Sequence, residues 1–289
     1  MRGHGGCDRG QGLASAHQRP RKGRQVSLTS HNLVRYLLYL LLVPLLAAAG
    51  LVSYWLIALP DLARLARENP NTTMLIEARQ AEAAEKGRPF SLSWTWVPLT
   101  FISPHLPKAV IMSEDASFNQ HHGIDWESLA EAVTHNWERG NLRRGGSTIT
   151  QQLAKNLYLS SEKSLLRKAR EALIAWELER RLPKPRILEL YLNVAEWGDG
   201  IFGAEAAARH HFGKSAAELT EEEAALLAAL LPSPRRNDPI RITPYLARRQ
   251  EEILYWMHRT NGSHRPTAEA TQPLTDVTDS PLSTVEGSH

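Results

Sequence analysis

Residues 36–59 read YLLYLLLVPLLAAAGLVSYWLIAL, 24 positions without a charged side chain. Wound as a helix at ~1.5 Å per residue, such a stretch crosses the ~30 Å hydrocarbon core of a bilayer. Pro44 and Gly50 are tolerated in helices of this kind, and Tyr54 and Trp55 suit a membrane–water interface. Seven basic residues (Arg2, Arg9, Arg19, Arg21, Lys22, Arg24, Arg35) precede it against one acid, Asp8. That asymmetry predicts a cytoplasmic N-terminus and an exported remainder. A cleaved signal peptide is the rival reading, with Ala47 to Ala49 as the cleavage site. The apolar run continues to Leu59, which is long for a signal core and favours a single-pass anchor.

The anchor divides the rest of the chain. Residues 1–35 form a basic tail with no apolar period, and 60–87 look like a helical membrane-proximal connector. Residues 88–260 carry the patterned body, and 261–289 have the composition of a disordered tail. The single cysteine, Cys7, excludes an intrachain disulfide and a zinc site built on cysteine spacing. A net charge of +3 gives no argument for nucleic acid as a partner.

Helical signals dominate the body. Ser103-Pro104 reads as an N-cap and first-turn proline opening a helix that ends near Ser113. Asp125 caps a second helix, in which Trp126, Leu129, Ala130, Val133 and Trp137 recur at helical spacing. Thr220 and Glu223 form a capping box before AALLAALL, and Thr243-Pro244 starts an amphipathic helix running to about His258. FSLSWTWV at 90–97 is the strand candidate. The fold class is mainly α.

The helix from about Lys163 to Leu182 has two possible faces. Leu165, Leu166, Ala169, Ala172, Leu173 and Trp176 make one apolar stripe. Glu171 lies almost opposite, with Arg167 one turn back and Ile174 and Leu178 ahead. Either Glu171 is presented into a cleft, or it makes a surface ion pair with Arg167 contributing ~0.3–0.5 kcal/mol. The helix taken alone favours the second.

Four stretches in order change the reading: EDASFNQHHG (114–123), GGSTITQQLAKN (145–156), RKARE (167–171) and KPRILELYLNVAEWGDGIFGAEAAARHHFG (184–213). Together with LLPSPRRNDP (230–239) they resemble the peptidoglycan glycosyltransferases, which polymerise cell-wall glycan from a lipid-linked disaccharide. The resemblance covers about residues 88–240 and implies a lysozyme-like, α-rich domain. A penicillin-binding transpeptidase domain would need a Lys-Thr-Gly element that this chain lacks. Its one Ser-x-x-Lys run, Ser160 to Lys163, falls inside the glycosyltransferase motifs. A monofunctional member of the family is therefore expected, at the inner membrane with its catalytic domain outside the cytoplasm. The implied partners are lipid II, the nascent strand, the bilayer, and proteins of cell-wall synthesis or division.

The resemblance also implies roles. The reaction joins a sugar 4-hydroxyl to C1 of a MurNAc carried on undecaprenyl pyrophosphate, with inversion. It needs a base for the hydroxyl and positive charge for a leaving group that is already anionic. By motif, Glu114 is that base. Glu171 is the second catalytic glutamate, orienting the pyrophosphate either through a divalent cation (Mg or Mn) or by holding Arg167. Lys155 matches the phosphate-binding lysine, with Lys163, Arg167 and Lys168 nearby. Ser147, Thr148, Gln151 and Gln152 are expected to bond sugar or phosphate oxygens. Phe118 is expected either to stack near a sugar or to pack under its loop, and His121 to serve as a structural hydrogen bonder. Asn193, Glu196 and Gly203 are expected to shape the cleft floor. The alternatives are a lysozyme-like hydrolase, which would not need the cations, and an inactive membrane scaffold.

Overall fold

Helices in this chain begin where a side-chain oxygen meets their free N–H groups. In the computed structural model, which describes residues 30–130, 146–160, 162, 164–237, 239 and 241–259, Thr73 Oγ1 accepts from Ile76 N and opens α2 (Met74–Glu85). Thr148 and Gln151 close a capping box at the start of α5 (Ile149–Tyr158). Ser164 caps α6 (Leu165–Arg181), and Thr220 with Glu223 caps α9 (Glu221–Leu230). Such caps are worth ~1 kcal/mol each. Asp125 accepts from Ser128 N at 2.9 Å and starts α4, described over 126–130. Thr243 accepts from Leu246 N and starts α10 (Pro244–Arg259). Ser103 departs from expectation: its hydroxyl donates to Leu219 O, and Pro104 takes the N-cap position of α3 (His105–Glu114) without a side-chain cap. The remaining helices are α7 (Lys184–Val194) and α8 (Ala204–Phe212). The tails, Val133, Trp137, Gly145 and Lys163 lie outside the described residues.

Two units divide the chain after Ala58. The first holds α1 (Ser30–Ile57), the one helix among the described residues long and apolar enough to cross a membrane, over Leu33–Trp55. The second starts at Leu59 and has its own core. The segment read as a connector belongs to this second unit. Leu62 and Leu65, on a 3₁₀ turn, join its core, Ile76 and Ala83 of α2 are buried, and α2 packs on α5. Only a few apolar residues per turn face inward there, so a charged sequence concealed the burial.

At the centre α5 packs between α6 and α7, with Ile149, Leu153, Ala154, Ile174, Leu178, Ile187 and Leu190 buried. The α9 run Ala224–Leu230 is buried on all sides, as its uniformly apolar sequence demands. It lies against both α3 and α10. The only strands among the described residues form a small sheet in the order β1 (Ser93–Trp94), β3 (Ile201–Phe202), β2 (Glu196–Gly198). Ser93 pairs with Ile201 in parallel, and β2 turns back antiparallel on β3. The turn brings Gly200, at φ +77°, so close to Ser91 O that a Cβ would sit 2.2 Å from it. Asn193 staples the 94–97 segment to α7: its side chain bonds Val97 N and Val97 O, and its carbonyl accepts from Trp94 Nε1.

The α6 stripe faces the other way from the sequence-based preference. Leu165 is 90% exposed, Leu166 62% and Trp176 44%, while Glu171, Ile174, Ala175 and Leu178 are buried. In α4, Trp126 and Leu129 are likewise exposed.

On the far side of the body, Arg79 of α2 grips Glu196 of β2 with Nε at 2.9 Å and Nη2 at 2.8 Å from the same oxygen. Burial pushes the Glu196 carboxyl up, and Arg79 opposes that push. Arg79→Leu would leave this carboxylate buried and unpaired, costing about 3 kcal/mol at neutral pH. A group with a raised folded pKa recovers stability once protonated, so the variant's deficit should shrink as pH falls toward the carboxyl range. Thermal unfolding in detergent across pH measures both effects.

Candidate active site

Adjacent acids at the end of α3 have opposite surroundings. Asp115, the C-cap, is buried; its carboxylate accepts from Ile149 N at 2.9 Å, the first amide of α5. His121 Nε2 lies 2.9 and 3.0 Å from its two oxygens. Gly123 N donates to His121 Nδ1, so the proton of the neutral ring sits on Nε2 and points at Asp115. His121 is thus the structural hydrogen bonder expected. Glu114, the last residue of α3, is half-buried and turns into a cleft. Gln152 Nε2 donates to Glu114 Oε2 at 2.9 Å, and Gln152 Oε1 accepts from Tyr191 OH at 2.9 Å. The Ser113 hydroxyl lies 3.3 Å from Glu114 Oε1. The cleft has a volume of about 180 Å³ and is lined by Glu114, Ser117, Asp125, Gly146 and Ser147 among others.

A second carboxylate is buried one helix away. Glu171 keeps 3% of its side chain exposed, because Arg167 Nη1 donates to one oxygen at 2.7 Å and Lys168 Nζ donates to the other. Lys168 Nζ also reaches Ser147 Oγ at 2.6 Å, tying α6 to the loop ahead of α5. This is no surface ion pair: an isolated carboxylate at such depth would be strongly unfavourable. Lys155 of α5 sits in the field of all these charges. Burial of its surroundings is the largest effect and pulls its pKa below the ordinary lysine value; Lys168 and Arg167 act in the same direction, and Glu171 and Glu114 oppose. The two glutamates, Lys155, Arg167 and Lys168 thus form one electrostatic cluster.

Comparison with known proteins gives the family. Residues 83–258 match the family model described as Transglycosylase. The chain belongs to the transglycosylase family. It is 45% identical over 224 residues to a biosynthetic peptidoglycan transglycosylase of Janthinobacterium sp. (strain Marseille), covering 78% of this chain and 96% of that protein. It is 48% identical over 186 residues to the protein of that name in Nitrosospira multiformis, covering 64% and 81% of the two. The mainly helical, lysozyme-like architecture expected from the resemblance agrees with this membership.

The structure places the remaining candidate residues as follows. Thr148 and Gln151 are buried; the Thr148 hydroxyl and Gln151 Oε1 are engaged in the α5 capping box, and Thr148 Oγ1 also donates to Gly123 O. Phe118 is 1% exposed and packs under the loop, with Lys184 Nζ 4.3 Å above its ring, so it is closed to a sugar in this structure. Gln152 holds Glu114 rather than standing open. Ser147, Lys155, Arg167 and Lys168 are brought together as expected; Lys163 lies outside the described residues. Glu196 pairs with Arg79, and Gly203, at φ +82°, passes close to Asn193 O, so both are structural. Sequence reasoning missed Tyr191 and Asp115. The EDASF motif could have signalled the second, since an acid beside a base often serves the backbone.

A metal held by the protein alone does not fit here. Both Glu171 oxygens are engaged by cations, and the described residues contain no group of three His, Cys, Asp or Glu able to hold an ion.

Lys155 should therefore lose its proton at lower pH than an ordinary lysine. Labelling by an amine-reactive reagent across pH, read by mass spectrometry, should show its reactivity rising earlier. Glu171→Gln removes the strongest opposing charge and should move that rise to still lower pH.

Proposed function

We infer that the chain polymerises peptidoglycan glycan strands, with Glu114 as base and the cluster around Glu171 as the seat of the diphosphate. The observation that carries this reading is the convergence of Lys155, Arg167 and Lys168 beside a half-buried carboxylate. A hydrolase acting on a neutral glycan has no use for three cations. A donor that leaves as a diphosphate does.

The chemistry follows from the charges. The acceptor 4-hydroxyl attacks C1 of the MurNAc on lipid II, the C1–O bond to phosphate breaks, and its electron pair leaves on the diphosphate. Attack from the face opposite the leaving group converts the α-linked donor into a β-1,4 link. Glu114 takes the hydroxyl proton, and its two oxygens are held ready by Gln152 and Ser113. Tyr191 fixes the Gln152 amide so that its N–H₂, not its oxygen, faces Glu114. Lys155, Arg167 and Lys168 meet the negative charge that develops on the leaving oxygen. Glu171 does not donate a proton in this scheme. It orients Arg167 and Lys168, and as the diphosphate draws near, those cations turn part of their charge from the carboxylate to the ligand.

The substrate explains the anchor. A polyprenyl chain is held in the bilayer by ~0.8 kcal/mol per buried CH₂, so its diphosphate is met at the membrane surface. We place α1 across the cytoplasmic membrane of a bacterium, with the Arg-rich segment inside and the second unit outside. The basic flank supports this orientation.

Supplied with lipid II, the purified protein should yield long glycan polymer and leave preformed glycan uncut. Glu114→Gln should lower the rate by roughly 10²–10⁴-fold. Lys155→Gln should lower kcat/KM most near neutral pH and least at high pH, where the wild-type lysine has itself lost its charge. Product gels across pH separate the two variants. Shortening of preformed glycan in the absence of lipid II would instead identify a hydrolase.

A further inference from the structure

Glu114 has a neighbour on a distant part of the chain. Arg249 of α10 places Nη2 3.1 Å from Ser113 O and 3.4 Å from Ser113 Oγ. Its Nη1 donates to Glu252 Oε2 at 3.1 Å, which fixes the guanidinium plane. Ser113 O is one of the last carbonyls of α3, where the helix dipole is negative and its acceptors lack intrahelical partners. The Ser113 hydroxyl receives the arginine N–H, which leaves its own proton free for Glu114 Oε1 at 3.3 Å. Arg249 reaches this point because α10 packs directly on α3, and the alanine- and leucine-rich α9 packs on both.

We propose that Arg249 is a positioning residue for the base: it caps the C-terminus of α3 and, through Ser113, holds the Glu114 carboxylate aimed at the cleft. This rests on the reading of Glu114 as the base. Without a cation at that helix end, the last α3 carbonyls lose their partner and the negative end of the dipole lies uncompensated beside the carboxylate. Other charges also lie near Glu114. Asp115, paired with His121, adjoins it on α3; α5 brings Lys155, around which Arg167, Lys168 and Glu171 of α6 gather, and α7 brings the neutral Tyr191. From α9 comes only the carbonyl of Ala228, 3.5 Å from Ser113 Oγ. None of these takes the place of Arg249 at the α3 carbonyls, and all are unchanged when it is replaced.

The test is the pH dependence of kcat/KM for polymerisation by the full-length protein in detergent, with lipid II as substrate. A cation near a carboxylate favours its charged form, so its loss makes the base protonate at higher pH. Arg249→Met should move the acid limb up by roughly half a pH unit or more, giving a deficit that is largest at low pH and closes as pH rises. Arg249→Lys should restore part of the shift. Ser113→Ala, which keeps the carbonyl but removes the relay hydroxyl, should move the limb in the same direction and serves if Arg249→Met does not fold. A deficit of the same factor at every pH would overturn the proposal, since that is the signature of a smaller folded fraction. An unmoved acid limb would overturn it too. Full activity of Glu114→Gln would instead remove the base assignment, a separate outcome.

Discussion

The site is built around the buried carboxylate of Asp115. It receives the first amide of α5 and the imidazole N–H of His121, and it stands one residue beyond the end of α3. Three pieces of chain that are far apart in sequence are therefore joined at one group. Because Glu114 precedes it directly, the proposed base is fixed relative to α5, the helix that presents Gln152 and Lys155. A carboxylate that accepts a helix N-terminal amide is stabilised by the local dipole as well as by the bond itself. Glu114 is thus placed by the structural bonds of its neighbour.

The second half of the cleft depends on a different balance. Glu171 is buried only because Arg167 and Lys168 satisfy it, and those same side chains are the cations a diphosphate requires. Lys155 makes no direct ion pair among the described residues, and the crowding around it, with Lys168 and Arg167 nearby, pulls its pKa below the ordinary lysine value. The protein thus keeps one loosely compensated cation next to two compensated ones.

Most local signals in the sequence were reliable, Ser103 being the exception. The capping box at Thr220 and the starts at Asp125 and Thr243 are visible because each is a short-range bond between residues a few positions apart. What required the third dimension was the direction each helix faces. For α6, the apolar stripe of Leu165, Leu166 and Trp176 outscored the mixed face by residue count, yet the mixed face is buried, since its charges find partners on that side. The same limit applies to Thr148, Gln151 and Phe118. Their motif marks them as belonging to the site, but only coordinates distinguish an atom facing the cleft from one that builds its wall. Residues 60–87 are helical as read, but Leu62, Leu65, Ile76 and Ala83 are too sparse to announce a core contribution.

The Glu171 cluster also bears on what happens after the bond is made. A released diphosphate would be slow to leave three bare cations in a partly dehydrated pocket. Here two of them have a resident counter-ion one helical turn away. On the reading proposed above, that tethered carboxylate would displace the departing anion and return the cluster to a neutralised state without salt from solution.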